Sequence, residues 1–341
     1  MTPTTRRALL AMPMLIPALA RAQTAPEQRE VELLGVRDPQ LGMQLAVASH
    51  FGMFREEGLD VTIRWQSSGG EVMTIMGGGF PIGIGSQFGQ IGLAAQNIPV
   101  KIICGFADIA DTQGVVLAPH TRLSHPRELE GKRCAFTQGN NSPLMLKKLG
   151  QRFGFDETKI RMINMNPSEG VVAAARGDVD ILLAWQPFLH RLTTLGGTLY
   201  VVGSKLLFTD PVTILPEAEK LLFSHSVMMA TEEWIRTKPN TLKAMLRALI
   251  KADNLFKTDR PRAFGAVQEV LRIPAEPLQV MTEANKYGVL IDQPLVNSYD
   301  FTVEWALDIR RIPTRLTAAS GISTTLLSQV DPARVTWRPQ A

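Results

Sequence analysis

Ala48–Gln87, ASHFGMFREEGLDVTIRWQSSGGEVMTIMGGGFPIGIGSQ, decides how the rest of the chain is read. It runs as the end of a helix, a strand, a glycine-containing turn, a short helix, a second strand and a second polar turn. Gly58 closes the first helix as a C-terminal cap. Asp60–Trp65 alternates, with Val61, Ile63 and Trp65 on one face of a strand. Two loops, Ser67–Gly70 and Gly85–Gln87, each follow a strand's carboxyl end, the edge of an open α/β sheet where ligands sit. The five glycines between Gly77 and Gly85 suggest a phosphate loop, but neither G-x-G-x-x-G nor G-x-x-x-x-G-K-[ST] is satisfied there.

Outward from this stretch the same grammar repeats. Upstream, Glu30–Val36 reads as a strand, Arg37–Gln40 as a turn and Leu41–Glu57 as a helix with apolar residues at helical spacing. Downstream, Gln87–Asn97 is a helix and Val100–Phe106 a buried strand. The pattern restarts at Gly114–Leu117. Arg133–Phe136 is a strand, Thr137–Asn141 a polar turn, and Ser142-Pro143 opens a helix to Phe153. Ile160–Asn164, Asp180–Trp185 and Leu199–Val202 are strands separated by helices, while Pro211–Leu222 fits no element. Ser226–Ala230 is a strand heading back, and helices follow to Arg311. Alternating strands and helices predict an α/β fold of mostly parallel sheets flanked by helices. Two lobes are expected: residues 28–113 with 225–314, and residues 114–224. Gly114–Leu117 and Ser226–Ala230 are the expected hinge crossings, and 315–341 is a C-terminal tail, packed or loose.

The 341 residues are 45% hydrophobic and 20% charged, enough for two lobes of ordinary globular composition. The net charge of +4 invites a nucleic-acid partner, but the first 22 residues account for it. Without Arg6, Arg7 and Arg21 there are 33 basic against 32 acidic residues. No basic arm or lysine run with interleaved aromatics is present, so no nucleic acid is expected. Residues 1–22 read as a signal peptide: a basic start, the apolar Ala8–Ala20, and a small-x-small site at Ala20–Ala22. The 13-residue apolar run is short of the ~20 a spanning helix needs. Thr5–Leu10 resembles a twin-arginine signal, and a general secretory signal fits as well. Cys104 and Cys134 sit in strands of different lobes and are expected as two buried thiols. The histidines at 50, 120, 125, 190 and 225 make no i, i+4 pair and no H-E-x-x-H, so no metal and no cofactor is expected. No G-x-S-x-G elbow occurs, and neither cysteine has an evident histidine partner, so no catalytic residue is assigned.

Three motifs carry a resemblance. Ala48-x-x-x-Gly52-x-Phe54-x-x-Glu57-Gly58-Leu59-Asp60-Val61 resembles the opening motif of periplasmic solute-binding proteins of ABC importers. The subgroup is the one for nitrate, taurine and alkanesulfonates, with thiamine-pyrimidine relatives. Ala175–Asp180 followed by Trp185-x-Pro187 resembles the family's second-lobe G-x-x-D-A…W-x-P segment. Leu129-x-Gly131-Lys132-Arg133 resembles its L-x-G-K-x-V-A. The resemblance spans residues 30–300. It implies a type II periplasmic-binding-protein clamshell, a small-molecule solute closed into the cleft, a membrane permease as partner, a monomer, and the periplasm as location. The chain departs from the pattern at Gly79-Phe80-Pro81-Ile82, where the family often has Gly-x-x-Asp. A ligand-sensing module would have the same fold. The pyrimidine synthases among the relatives use a cysteine-rich motif that this chain lacks, so no enzyme is expected.

Within that frame the ligand-binding candidates lie after strand ends. They are Gln40; Ser67, Ser68 and Gly69; Ser86 and Gln87; and, in the opposing lobe, Asn140, Asn141 and Ser142. Simple N-capping is the alternative for the serines and asparagines. Trp185 either stacks on a flat ligand or fills the core. Asp108 either meets the ligand or accepts a hinge hydrogen bond. Asp180 reads as structural. Helix N-termini could hold an anion without Lys or Arg.

Overall fold

The computed structural model describes residues 25–138 and 141–339. The signal-peptide reading of residues 1–22, and Asn140, lie outside them.

Two mixed sheets organise the chain. The first contains β1 (Glu30–Val36), β2 (Asp60–Gln66), β3 (Ile82–Ser86), β4 (Val100–Asp108), β12 (His225–Thr231) and β13 (Lys286–Leu290), in the order β13-β4-β12-β3-β1-β2. The second contains β5 (Gln113–Leu117), β6 (Arg133–Phe136), β7 (Arg161–Asn164), β8 (Ile181–Trp185), β9 (Thr198–Val202), β10 (Lys205–Leu206) and β11 (Thr213–Ile214), in the order β11-β10-β9-β5-β8-β6-β7. The strand–helix–strand runs β1, β2, β3 and β6, β7, β8 are parallel as expected. The strands that arrive from the other sheet lie antiparallel to their neighbours: β12 to β3 and β4, and β5 to β8 and β9. A strand entering from across the cleft starts at the edge where the resident strands end, so it must run against them. That makes the sheets mixed rather than mostly parallel.

The chain leaves the first sheet through Ile109–Thr112 and returns through 215–224. The two passages touch, Ile109 N–H donating to the Ser224 carbonyl at 2.8 Å. The expected crossings, Gly114–Leu117 and Ser226–Ala230, are the strands that receive the chain after each passage.

Packing follows strand periodicity. In β8, Ile181 and Leu183 join a core on one face of the second sheet with Val115, Cys134 and Val201. Leu182 and Ala184 join a separate core on the other face with Val116, Ala135 and Leu189. The first sheet has one continuous core, built from β1–β4, β12 and the helices Pro39–His50 and Pro239–Thr258. Its glycines are packing requirements. A Cβ on Gly83 would lie 2.7 Å from the Met76 sulfur and 2.8 Å from Val72. The glycine-rich run therefore lets the helix Gly69–Gly77 settle onto β3.

Several boundaries differ from the sequence reading. The expected helix Leu41–Glu57 is two, Pro39–His50 and Met53–Glu56, parted by Gly52 at φ 68°. Lys286–Leu290 is an edge strand on β4 rather than the end of a helix. The tail is packed: Ile322 bridges to Ile102, Val335 bridges to Ile291, and Leu327 is fully buried. Cys104 and Cys134 are buried free thiols in different sheets, the second pushed up by burial to about 12. Among the described residues no helix is long and apolar enough to cross a membrane.

Candidate functional site

The carboxyl ends of β1, β2 and β3 in one sheet, and of β6 and β8 in the other, open onto one cavity of about 730 Å³. That is the scale of a small-molecule site. Four of its polar positions were expected from sequence alone as one wall: Gln40, Ser67, Ser68 and Ser86 all line it, with Gly69. From the opposing sheet, Asn141 and Trp185 line it.

The first wall is built from helix starts. Asp38 caps the helix Pro39–His50, its Oδ1 accepting from the Gln40 N–H at 2.6 Å. Gln40, 4% exposed, ties the two sheets together. Its Nε2 donates to the Gln186 carbonyl at 3.0 Å, and its Oε1 accepts from the Thr112 hydroxyl. Ser68 caps the helix Gly69–Gly77, accepting from the Glu71 N–H at 3.3 Å. Ser67 gives both its N–H and its hydroxyl to the Glu71 carboxylate. Those two bonds hold the Glu71 carboxyl below its ordinary value. Ser67's own donors are therefore committed to a carboxylate, while the N–H groups of Gly69 and Gly70 at the helix start carry no side-chain cap. Ser86 precedes the helix Gln87–Ala95 without a side-chain capping bond, so its hydroxyl is not consumed.

The second wall is neutral. Asn141, 5% exposed, donates through Nδ2 to the Phe223 carbonyl at 3.4 Å. Trp185 ends β8 and meets Phe188 edge-on, ring centroids 6.0 Å apart. Thr137 and Gln138, at the end of β6, complete this side.

Three candidates are not brought to the cavity. Gln87 is fully buried behind it. Its Oε1 accepts from the His225 N–H at 2.9 Å, and its Nε2 donates to the Thr302 hydroxyl at 3.1 Å. One residue beyond Ser86, its side chain turns to the core instead. Ser142 is fully buried at the start of the helix Pro143–Phe153 and does not line the cavity. Asp108 faces the passages between the sheets, with Oδ1 accepting from the Ala110 N–H at 3.0 Å and Oδ2 3.1 Å from Lys220 Nζ. Lys220 also lies 2.7 Å from Glu217. Burial would raise the Asp108 carboxyl; the fields of His225 and Lys220 and the Ala110 N–H outweigh it and hold the carboxyl low. Burial pushes the His225 ring below its own ordinary value, so Lys220 is the standing positive charge of this group.

Asp180 is structural, as read. Its carboxylate accepts from the Arg133 N–H at 2.8 Å and from the guanidinium at 3.1 and 2.8 Å, and His120 lies 3.2 Å away. The Arg133 side chain, with these other partners, holds it well below the carboxylate range.

Among the cavity residues that the sequence reading missed, Asp38, Gln113 and Ser224 bear most on its chemistry. Asp38 was taken as part of a turn. Gln113, 7% exposed, and Ser224, 2% exposed, line the cavity with side chains that have no hydrogen-bond partner among the described residues. Ser224 ends the return passage and Gln113 is the first residue of β5, and no local motif marks either as a lining residue. Buried polar side chains left unpaired are costly, and here they face open space at the cavity. Among the described residues no group of three or more His, Cys, Asp or Glu is placed to hold a metal ion.

Comparisons with known proteins bear on the family and the fold. A family model described as NMT1/THI5-like matches residues 42–259. The taurine-binding periplasmic protein of Escherichia coli (strain K12) is 23% identical over 245 residues, covering 68% of this chain and 71% of that protein. A 4-amino-5-hydroxymethyl-2-methylpyrimidine phosphate synthase of Aspergillus parasiticus is 24% identical over 243 residues, 69% of this chain and 68% of its own. Among solved structures, the periplasmic aliphatic sulphonate-binding protein SsuA from Escherichia coli superposes with a TM-score of 0.71 at 15% identity, covering 87% of this chain and 93% of that one. The fold is that of the periplasmic binding proteins.

Proposed function

Because the chain belongs to the NMT1/THI5-like family, we propose that it is the solute-binding component of an ABC importer. It captures a small organic molecule, sulfonate- or taurine-like or heteroaromatic, between its two sheets. One observation carries this reading: a cavity of about 730 Å³ receives polar side chains from both sheets and from the return passage between them. A ligand touching both walls favours the closed arrangement by the difference of its contacts in the two states. Closure about the passages at Ile109–Thr112 and 215–224 is the motion this topology supports. Export to the periplasm and docking to a membrane permease belong to the same reading. So do ligand contacts by Gln40, Ser67, Ser68, Gly69, Ser86, Asn141 and Trp185, and the division into lobes at 113/114 and 224/225.

The synthase among the relatives favours a second reading, turnover rather than capture. Against it stand the two cysteines, both buried, one in each sheet and neither in the cavity lining. The test is calorimetry and thermal shift of the purified protein against sulfonates, nitrate, amino acids and heteroaromatics, with product analysis of every mixture. Micromolar binding without turnover, about 8 kcal/mol, is expected. Silence across the panel would remove the capture reading, and a converted substrate would replace it with the enzyme.

A further inference from the structure

The cavity lining contains two charged residues, Asp38 and Arg311. Asp38 lies beside Gln40, which bonds Gln186 and Thr112 at the meeting of the sheets. Arg311 lines the same cavity, as do Gln96 and Ser86, the C-terminal and N-terminal caps of the helix Gln87–Ala95. Nine helical residues separate those points, about 13 Å. No Lys, Arg or His among the described residues pairs with Asp38. Its neighbour Arg37 is directed elsewhere, Nη1 donating to the Val270 carbonyl at 3.1 Å with its guanidinium over Trp65.

The Asp38 carboxylate has two protein donors, both from Gln40: the N–H at 2.6 Å and Nε2 at 3.3 Å. A carboxylate offers about four acceptor positions, so half its capacity is open. One residue past Thr112, which bonds the Gln40 amide, stands Gln113, more than nine-tenths buried with its amide unpartnered in the same cavity. Ser224 adds a hydroxyl in the same condition. At the other conspicuous polar loop, Ser67 has its donors committed to Glu71. The cavity lining thus presents open acceptor positions on Asp38 and unpaired amphoteric groups on Gln113 and Ser224, with Arg311 as its positively charged side chain among the described residues.

We propose that Asp38 is a specificity-determining residue that receives a protonated amine or amidine of the solute, with Gln113 and Ser224 completing the donor and acceptor set around it. This rests on the solute-capture reading and narrows it. Simple anions such as nitrate or an unsubstituted alkanesulfonate lack the group that Asp38 is placed to meet. Burial pushes the Asp38 carboxyl up to about 7, against the two Gln40 bonds that act downward. A cation brought beside it reverses that shift, so binding near neutral pH releases a proton. Arg37 and Tyr287 are the other ionisable groups of its surroundings. The Tyr287 phenol is pushed up by burial and stays neutral in this range.

The experiment uses the full chain, matched probes and the isosteric variant Asp38→Asn. Asparagine is as good an N-cap as aspartate and removes a carboxyl whose ionisation burial opposes, so the helix start survives, and a thermal melt at or above the parent's verifies it. The probes are pairs with and without the amine: 2-aminoethanesulfonate against ethanesulfonate, β-alanine against propionate, and 4-aminopyridine against pyridine. Calorimetry in two buffers of different ionisation heat reads proton release. The expected result is at least tenfold preference for the amine member of one pair, proton release on its binding, and loss of that preference in Asp38→Asn. Equal affinity within every pair that binds, or an unchanged preference in the variant, overturns the assignment and leaves solute capture standing. Native mass spectrometry of protein purified from its own host is the second arm. A co-purified solute without basic nitrogen overturns the assignment alone, whereas silence in both arms removes the capture reading together with it.

Discussion

The wall formed by β1, β2 and β3 carries a carboxylate, Asp38, and serines at helix starts; the wall formed by β6 and β8 carries amides, hydroxyls and one indole. The first wall belongs to a sheet with one continuous core that also takes in the chain's last helices and its tail. The second belongs to a sheet whose two faces have separate, smaller cores. If Asp38 receives the solute's amine as proposed, charge discrimination would sit on the more heavily supported side. The lighter side would then supply shape and stacking area, and could move without disturbing that carboxylate.

The largest effect that could break this contrast comes from cutting one core and watching the other. Leu33→Ala in β1 and Leu183→Ala in β8 each remove a fully buried side chain and should cost about 3 kcal/mol. Hydrogen exchange should accelerate in β1–β4 and β12 for the first variant, and in β5–β9 for the second. Uniform acceleration by either would show the sheets to be a single cooperative unit.

Next is the ion pair that organises the second sheet. Asp180→Asn keeps the shape but removes the charge that accepts from Arg133 and His120, a loss of about 2 kcal/mol. The Asp180 carboxyl is held below its ordinary 3.8. Its contribution is therefore full above that value and fades as pH falls through the folded-state value. Urea titrations should show a constant gap between parent and variant from pH 7 to 5, closing in stronger acid. A gap that instead widens on acidification would reverse the assignment.

Within the cavity, Trp185→Ala should weaken the best-binding probe about tenfold, or 1.4 kcal/mol, while leaving preference between matched amine and non-amine probes intact. If preference is lost with the indole, the division of labour between the walls is wrong. The smallest effect separates two serines at similar positions. Ser68→Ala removes a capping bond to Glu71 and should cost about 1 kcal/mol of stability. Ser86→Ala removes no capping bond and should leave the melt unchanged while lowering affinity about threefold.

The two-lobed α/β plan was legible because its signals are local: the alternation of Val61, Ile63 and Trp65, the helix stop at Gly58, and Pro143 after Ser142. The cleft was legible at Gln40, Ser67, Ser68, Ser86 and Trp185 for the same reason, since strand carboxyl ends can be located by pattern. What failed depends on contacts across long separations. Asp108 and Gln87 look like ligand residues from the strand ends they follow. Lys220 and His225, more than a hundred residues away, claim their side chains instead. Ser224 carried no signal because a passage between sheets has no periodicity of its own, and Gln113 opens β5, where alternation alone does not say which strand end faces a cleft. Asp38 did carry one: an Asp before Pro39 at the start of an apolar-periodic run is an N-cap signature. Whether such a cap also faces a cavity is decided by the sheet beneath it.

The position of β12 between β3 and β4 sets an order of events during synthesis. β4 pairs only with β12 and β13, so when it is made it has no partner strand. The intervening β5–β11 contain all the strands of the second sheet and can close first. Roughly 120 residues separate the end of β4 from β12, about ten seconds of elongation. Throughout that interval the apolar edges of β3 and β4 are open to any other strand. The half of the molecule with the deeper core is therefore the one most in need of a holding chaperone while the chain is incomplete.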